Sequence, residues 1–212
     1  MTKNIPEPAV KPIGPEVRLL AAMAYGEAST QNNADEIYGL ASVLKRQRDA
    51  RGYSSMEAFV RGESSFSFVV NDGNKRYQLF RRSTDTQILS DPVMKTAVEA
   101  AENALADGPD KSNGAWFWDG ADISSNYAKH FKVKNGIRFG HPSHNIYSIK
   151  ESSKLVIKHK TVKKKINGEI KIEKQEVYRY DHIYVSTAAH GGTIFWKQDA
   201  AYLKHTKAKE YR

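Results

Sequence analysis

The chain contains no cysteine, which excludes a disulfide framework and thiolate catalysis and leaves any structural zinc to histidine and carboxylate ligands. It also lacks an apolar run approaching the roughly 20 residues that span a bilayer, so no membrane insertion is expected. Proline is scarce and unevenly placed. Four of the seven, Pro6, Pro8, Pro12 and Pro15, fall within the first 15 residues, a density that blocks regular structure and favours an extended lead-in over 1–15. That stretch, MTKNIPEPAVKPIGPE, has no apolar core of the kind that drives Sec export. The expectation is a protein made in the cytoplasm that reaches any periplasmic or cell-wall target by a non-Sec route. Acidic residues are the minority: the formal net charge is +9, which points to a polyanionic partner among nucleic acid, an anionic membrane face and an acidic cell wall.

With 212 residues, 40% of them hydrophobic, the chain can bury one good-sized core with a small appendage. The organising stretch is Leu19 to Gln47. Val17, Leu20, Ala21, Ala24 and Tyr25 recur at the spacing of one helix face, and Ile37, Leu40, Ala41 and Leu44 repeat the pattern after a seam rich in Gly, Ser, Thr and Asn. Glu27 sits at that seam. A carboxyl that follows an apolar run at a helix end is where burial can keep a proton on the acid at neutral pH, which makes Glu27 a candidate general acid. A solvated helix-end glutamate is the plainer alternative.

Along the chain, the first helix is expected from about Glu16, with Pro15 beside its N-terminus, to Gly26 or Glu27. The second runs from about Ala34 to Ala50, with Gly52 as its stop signal. Ser54 and Glu57 have capping-box spacing ahead of a short helix through Val60. Residues 64 to 80 read as a loop or short hairpin turning at Asn71–Asn74. Asp91 and Pro92 open a well-marked helix that ends before Gly108. From Ser112 to Ile149 periodicity is lost and aromatic residues crowd in, including Trp116, Trp118 and Tyr127. Beyond them, alternation about Asn167-Gly168 predicts two long strands with lysines on the solvent face. Residues 154 to 174 hold eight lysines against Glu169 and Glu173. The tail is expected to pack Phe195 and Trp196 back onto the body.

Three blocks in this order resemble the cell-wall hydrolase family typified by spore-cortex lytic enzymes (SleB-type). They are YGEAS with the helix ending LASVLKRQ, then SSFSFVVNDGNKRY, then GAWFW followed by GHPSHNIY. The similarity covers about Val17 to Ile149. It implies a lysozyme-like fold, with Glu27 as the acid that protonates the glycosidic oxygen between peptidoglycan sugars. It further implies that Phe66, Ser67, Asn71, Asp72 and Tyr77 line the glycan groove, bordered by Trp116 and Tyr127. Two departures stand out: Lys45 or Arg46 occupies the place of the family's usual Asn, and residues 150 to 212 have no counterpart in it.

Glycoside cleavage needs a proton for the leaving oxygen and a group that quenches the anomeric cation. Glu36 and Glu63 are the candidate second carboxylates, with Asp35 and Asp72 behind them. If none serves, the muramic acid 6-hydroxyl can attack instead and yield an anhydro product. The fold expected is α+β, mainly α: a lysozyme-like helical domain over 16–150, with a basic β-hairpin and tail over 151–212 packed on it. The function expected is cleavage of the MurNAc-GlcNAc β-1,4 bond, as muramidase or lytic transglycosylase, without cofactor or metal. The Pro-rich lead-in and basic tail resemble those of interbacterial toxins, which implies secretion machinery such as a type VI apparatus and a cognate immunity protein as partners. A phage lysis enzyme and a noncatalytic wall-binding module are alternatives. The competing class is a nucleic-acid binder or nuclease using the lysine hairpin and His130, His141, His144 and Asn145. Nucleic acid is the less favoured partner, because hairpin lysines usually form a solvated face and the histidines lack a recognised metal motif.

Overall fold

The computed structural model describes residues 11 to 212 except Ser67, Asp72 and Gly168, and of Phe68 and Asn71 only the backbone. It is a mixed α/β structure that divides into two compact units, one ending at Asn113 and the other running from Gly114 to Arg212.

The first unit is helical. Helix α1 (Pro15–Glu27) starts with Pro at its first position, where the missing N–H costs nothing, and Leu20 through Gly26 are all buried. Its alanines keep the helix slim enough for α2 (Ala34–Ala50), α5 (Lys75–Arg82) and α7 (Pro92–Leu105) to pack around it. Between them lie α3 (Met56–Gly62), α4 (Phe68–Asn71) and α6 (Asp85–Ser90). Most helix starts carry a side-chain cap. Asn33 accepts from Glu36 N, Ser55 from Ala58 N, Asn74 from Tyr77 N, and Asp91 from both Val93 N and Met94 N; each such bond satisfies an N–H that has no helical partner. The cap of α3 is therefore Ser55, one residue after the serine expected from the capping-box spacing.

Residues 64 to 80 are not a hairpin. They form α4 and the start of α5, with Asn74 as a helix cap, and α5 turns Tyr77 and Phe80 inward. Burial of those two rings on one helical face outweighs the turn signal of Asn71–Asn74. Glu16 staples the unit from outside: it accepts from Met56 N at 2.9 Å and pairs with Arg48 at 2.5 Å.

The second unit is built on a four-stranded sheet in the order β1 (Phe117–Asp119), β6 (Thr193–Gln198), β5 (Tyr184–His190), β2 (Ile137–Arg138), with β2 parallel to β5 and the other pairs antiparallel. Short helices α8 (Asp122–Ser125) and α9 (Phe131–Asn135) precede β2, and α10 (Ala200–Thr206) follows β6, capped by Asp199. Ile123, Val133, Ile137, Tyr184, Ile194 and Trp196 form the core, so Trp196 packs inside this unit. Because β1 and β2 pair with β6 and β5, residues before and after 150 share one sheet. The division of the chain consequently lies at 113/114 rather than near 150. Strands β3 (Val156–Ile166) and β4 (Glu169–Tyr180) form a separate two-stranded sheet about Asn167, which has the positive φ that a two-residue turn requires. Both faces of this ribbon are open to solvent over most of its length; its lysines are not confined to one solvent face.

The block GHPSHNIY has a structural explanation. Gly140 lies so close to β5 that a Cβ would meet the Ser186 carbonyl oxygen at 2.4 Å. Ser186 Oγ accepts from Gly140 N at 3.0 Å and is hydrogen-bonded to His144 Nδ1 at 2.9 Å. Burial, helped by the nearby His141, holds the His144 pKa below its ordinary 6.5. The unfolded chain then binds the proton more readily than the folded one, so stability falls as pH drops below about 6.5. His144→Gln should flatten that acid-side loss, measured by denaturant unfolding monitored at several pH values; an unchanged pH profile would remove His144 from this role.

Candidate functional site

Glu27 is the last residue of α1, half-buried at the end of the seven-residue buried run. The helix stops there because Ala28 turns to an extended conformation, its N–H still bonded to Ala24 O. Its final carbonyls have no helical donors, and the start of α5 supplies them. Asn74 Nδ2 donates to Gly26 O at 2.9 Å, and Arg76 Nε donates to Tyr25 O at 2.9 Å. The Arg76 guanidinium also lies 4.1 Å from the Tyr25 ring centroid and reaches Asn32 Oδ1 at 3.0 Å, so a single cation holds the helix end and the following loop together.

This contact is close. A Cβ on Gly26 would lie 2.7 Å from Val69 Cγ2 and 2.9 Å from Tyr77 Cβ, so only glycine allows α4 and α5 to approach the turn that carries Glu27. Tyr77 is buried against it, and that burial raises the Tyr77 pKa.

The candidate second carboxylates have structural work. Glu36 is fully buried and accepts from Ser29 N at 3.1 Å and Ser29 Oγ at 2.8 Å, which straps the loop after Glu27 onto α2. Of the two, it is the one brought to the Glu27 corner. Glu63, beyond α3, accepts from Tyr53 OH at 3.3 Å and lies 3.7 Å from Arg51. Asp35 pairs with Lys111 at 3.0 Å.

The expected groove residues belong to different elements. Phe66 packs on Phe59, with centroids 5.1 Å apart, and under Arg51. Ser67 and Asp72 lie outside the described residues, and Asn71 ends α4. Trp116 and Tyr127 belong to the second unit. There Trp116 Nε1 donates to Glu210 at 3.2 Å and its ring lies against Tyr211, while Tyr127 OH donates to Lys150 O at 2.9 Å.

In the second unit, Asp119, Asp122 and His130 offer ligand atoms within 4.8 Å of one another. His130 Nε2 stands 3.4 Å from each carboxylate, and Lys132 Nζ is 2.8 Å from Asp119 Oδ1. The ammonium gives the buried Asp119 a counter-charge, while Asp119 Oδ2 and His130 Nδ1 are buried without a hydrogen-bond partner among the described residues. The same carboxylate, with Tyr202 and above all burial, pushes the Tyr184 pKa up to about 12. His130 is engaged here, His141 with its neighbour Ser143 at 2.7 Å, and Asn145 closes its own loop on Ile149.

Sequence reasoning missed Asn74, Arg76 and the packing role of Gly26. The available signal was Asn74 read as a helix cap, followed by a basic residue two positions on. For Asp119, Asp122, His130 and Lys132 no short-range pattern existed, since sheet pairing and a loop bring them together.

Alanine is a better helix former than glycine by about 1 kcal/mol, so propensity alone predicts that Gly26→Ala stabilises α1. The contacts with Val69 and Tyr77 predict the opposite, a loss of about 1–3 kcal/mol, measurable by chemical denaturation; a gain in stability would refute the close approach. Comparisons of the chain with family models, with curated proteins and with solved structures find no match.

Proposed function

We propose that the first unit cleaves the β-1,4 bond between MurNAc and GlcNAc in peptidoglycan glycan strands, with Glu27 as the general acid. The observation that carries this reading is the placement of one half-exposed carboxyl at the end of a buried helix, in a corner held by Gly26, Asn74, Arg76 and Tyr77. A general acid must hold a proton until the leaving oxygen needs it. The bonds of Asn74 and Arg76 to the last carbonyls of α1 hold the backbone that carries the Glu27 side chain, which limits the positions the acid can reach. The resemblance of YGEAS and its following helix to the cell-wall hydrolases supplies the substrate class, and with it a lysozyme-like ancestry for the helical unit.

Among the described residues, Glu36, Glu63 and Asp35 are each engaged by protein donors. That favours the substrate's own nucleophile. Glu27 gives its proton to the glycosidic oxygen as the anomeric C–O bond breaks, the muramic acid 6-hydroxyl oxygen forms the new bond to that carbon, and its proton returns to the Glu27 carboxylate. The product is a 1,6-anhydro sugar, and no water is consumed. A delivered antibacterial enzyme with an immunity protein is the biological setting we attach to this chemistry.

Glu27→Gln keeps the shape and removes the transferable proton. Clearing of purified sacculi should fall by a factor of at least about 100, with the circular dichroism spectrum and unfolding midpoint unchanged. Clearing at an undiminished rate would end the proposal, and nicking of plasmid DNA by the same preparation would favour a nucleic-acid enzyme instead.

A further inference from the structure

Among the described residues, most of the β3–β4 ribbon is exposed on both faces. Its strands of 11 and 12 residues make it roughly 35 Å long. Its root is held by rings: Tyr178 stacks on His205 of α10 at 4.7 Å, and Tyr180 meets Tyr202 edge-on at 5.2 Å. Beyond the root, every described residue from Lys163 to Val177 is exposed. An isolated two-stranded ribbon without a buried face is marginally stable in water, so this one is built to be covered.

The register says by what. Cross-strand partners share a face, and Lys163 pairs with Ile172 while Lys165 pairs with Ile170. One face of the tip is thus two lysines alternating with two isoleucines, which are 66% and 69% exposed. On the other face Lys164 stands directly opposite Lys171, a like-charge pair that destabilises the ribbon and that a neighbouring anion relieves. Glu173 offsets only one of them, through its ion pair with Lys164 at 2.6 Å.

What the tip lacks narrows the partner. Between Lys158 and Val177 there is no Phe, Tyr, Trp or Arg. Single-stranded nucleic acid is held by aromatic platforms, bases in the duplex are read chiefly by arginine, and specific protein interfaces are anchored by Trp, Tyr and Arg. Bare isoleucines gain nothing from a phosphate backbone, yet they gain from the boundary between headgroups and acyl chains, where lysines meet lipid phosphates.

We infer that the β3–β4 ribbon is a peripheral docking element for anionic lipid bilayers, with Ile170 and Ile172 dipping below the headgroups and Lys163 and Lys165 of the same face on the phosphates, while Lys164 and Lys171 on the opposite face add long-range attraction to the anionic surface. The ribbon lies on the surface and does not span it. The proposal is independent of the chemistry at Glu27.

The test is co-sedimentation of the full chain with phosphatidylglycerol–phosphatidylcholine vesicles, with phosphatidylcholine vesicles, and a parallel titration with duplex DNA. Binding should appear on the anionic vesicles and weaken with added salt. Lys163→Glu with Lys165→Glu should weaken it at least about twentyfold. Ile170→Ser with Ile172→Ser keeps the charge and should weaken vesicle binding several-fold. These positions are exposed, and circular dichroism of each variant reports that the fold persists. Equal binding to both kinds of vesicle, indifference to the isoleucine change, or DNA binding without vesicle binding would each overturn the inference.

Discussion

The first unit depends on one close contact, the last turn of α1 against the start of α5. A helix C-terminus must satisfy its carbonyls and α1 has no capping glycine beyond its end, so the donors come from elsewhere in the chain: Asn74 on Gly26 O and Arg76 on Tyr25 O. Those bonds form only if α5 comes near, and α5 comes near only because Gly26 has no side chain. The backbone of Glu27 is held by the same contact, since it is the next residue. Fold and candidate chemistry therefore rest on the same few atoms, and a loosened helix end would cost both order and orientation.

Much of the helical unit was legible from local pattern. Helices α1, α2 and α7 announce themselves by apolar spacing, by Pro15 and Pro92 at first positions and by Asp91 as a cap, because helix signals are short-range. The hairpin about Asn167 was equally plain, since a two-residue turn fixes its own register. Residues 64 to 80 misled because Asn71 to Asn74 carry turn chemistry in either reading; whether Tyr77 and Phe80 are buried together on a helix is decided by α1, some fifty residues away. Local sequence has no access to that.

The second unit was harder to read for the same reason. Its sheet joins β1 and β2 to β5 and β6 across a gap that the ribbon fills, so a reader moving along the chain places a boundary where the basic run begins. Glu27 was identifiable as a residue, but the arrangement around it was not: Glu36 is spent on Ser29, and Trp116 and Tyr127 sit in the other unit. Several rings of the aromatic stretch 112 to 149 belong to the core: Phe117, Phe139 and Tyr147 pack against Trp196 and its neighbours.

The two units place their features differently. The helical unit carries Glu27 at the end of its buried first helix, and the sheet unit carries a partly buried ion-pair cluster and an exposed, charged, partly apolar ribbon. The central claim concerns the bond that the acid cuts, and mass spectrometry of the soluble products from purified sacculi tests it most directly. Disaccharide peptides ending in 1,6-anhydro muramic acid are the predicted result. Intact glycan strands, or products cut only within the peptide stems, would contradict it.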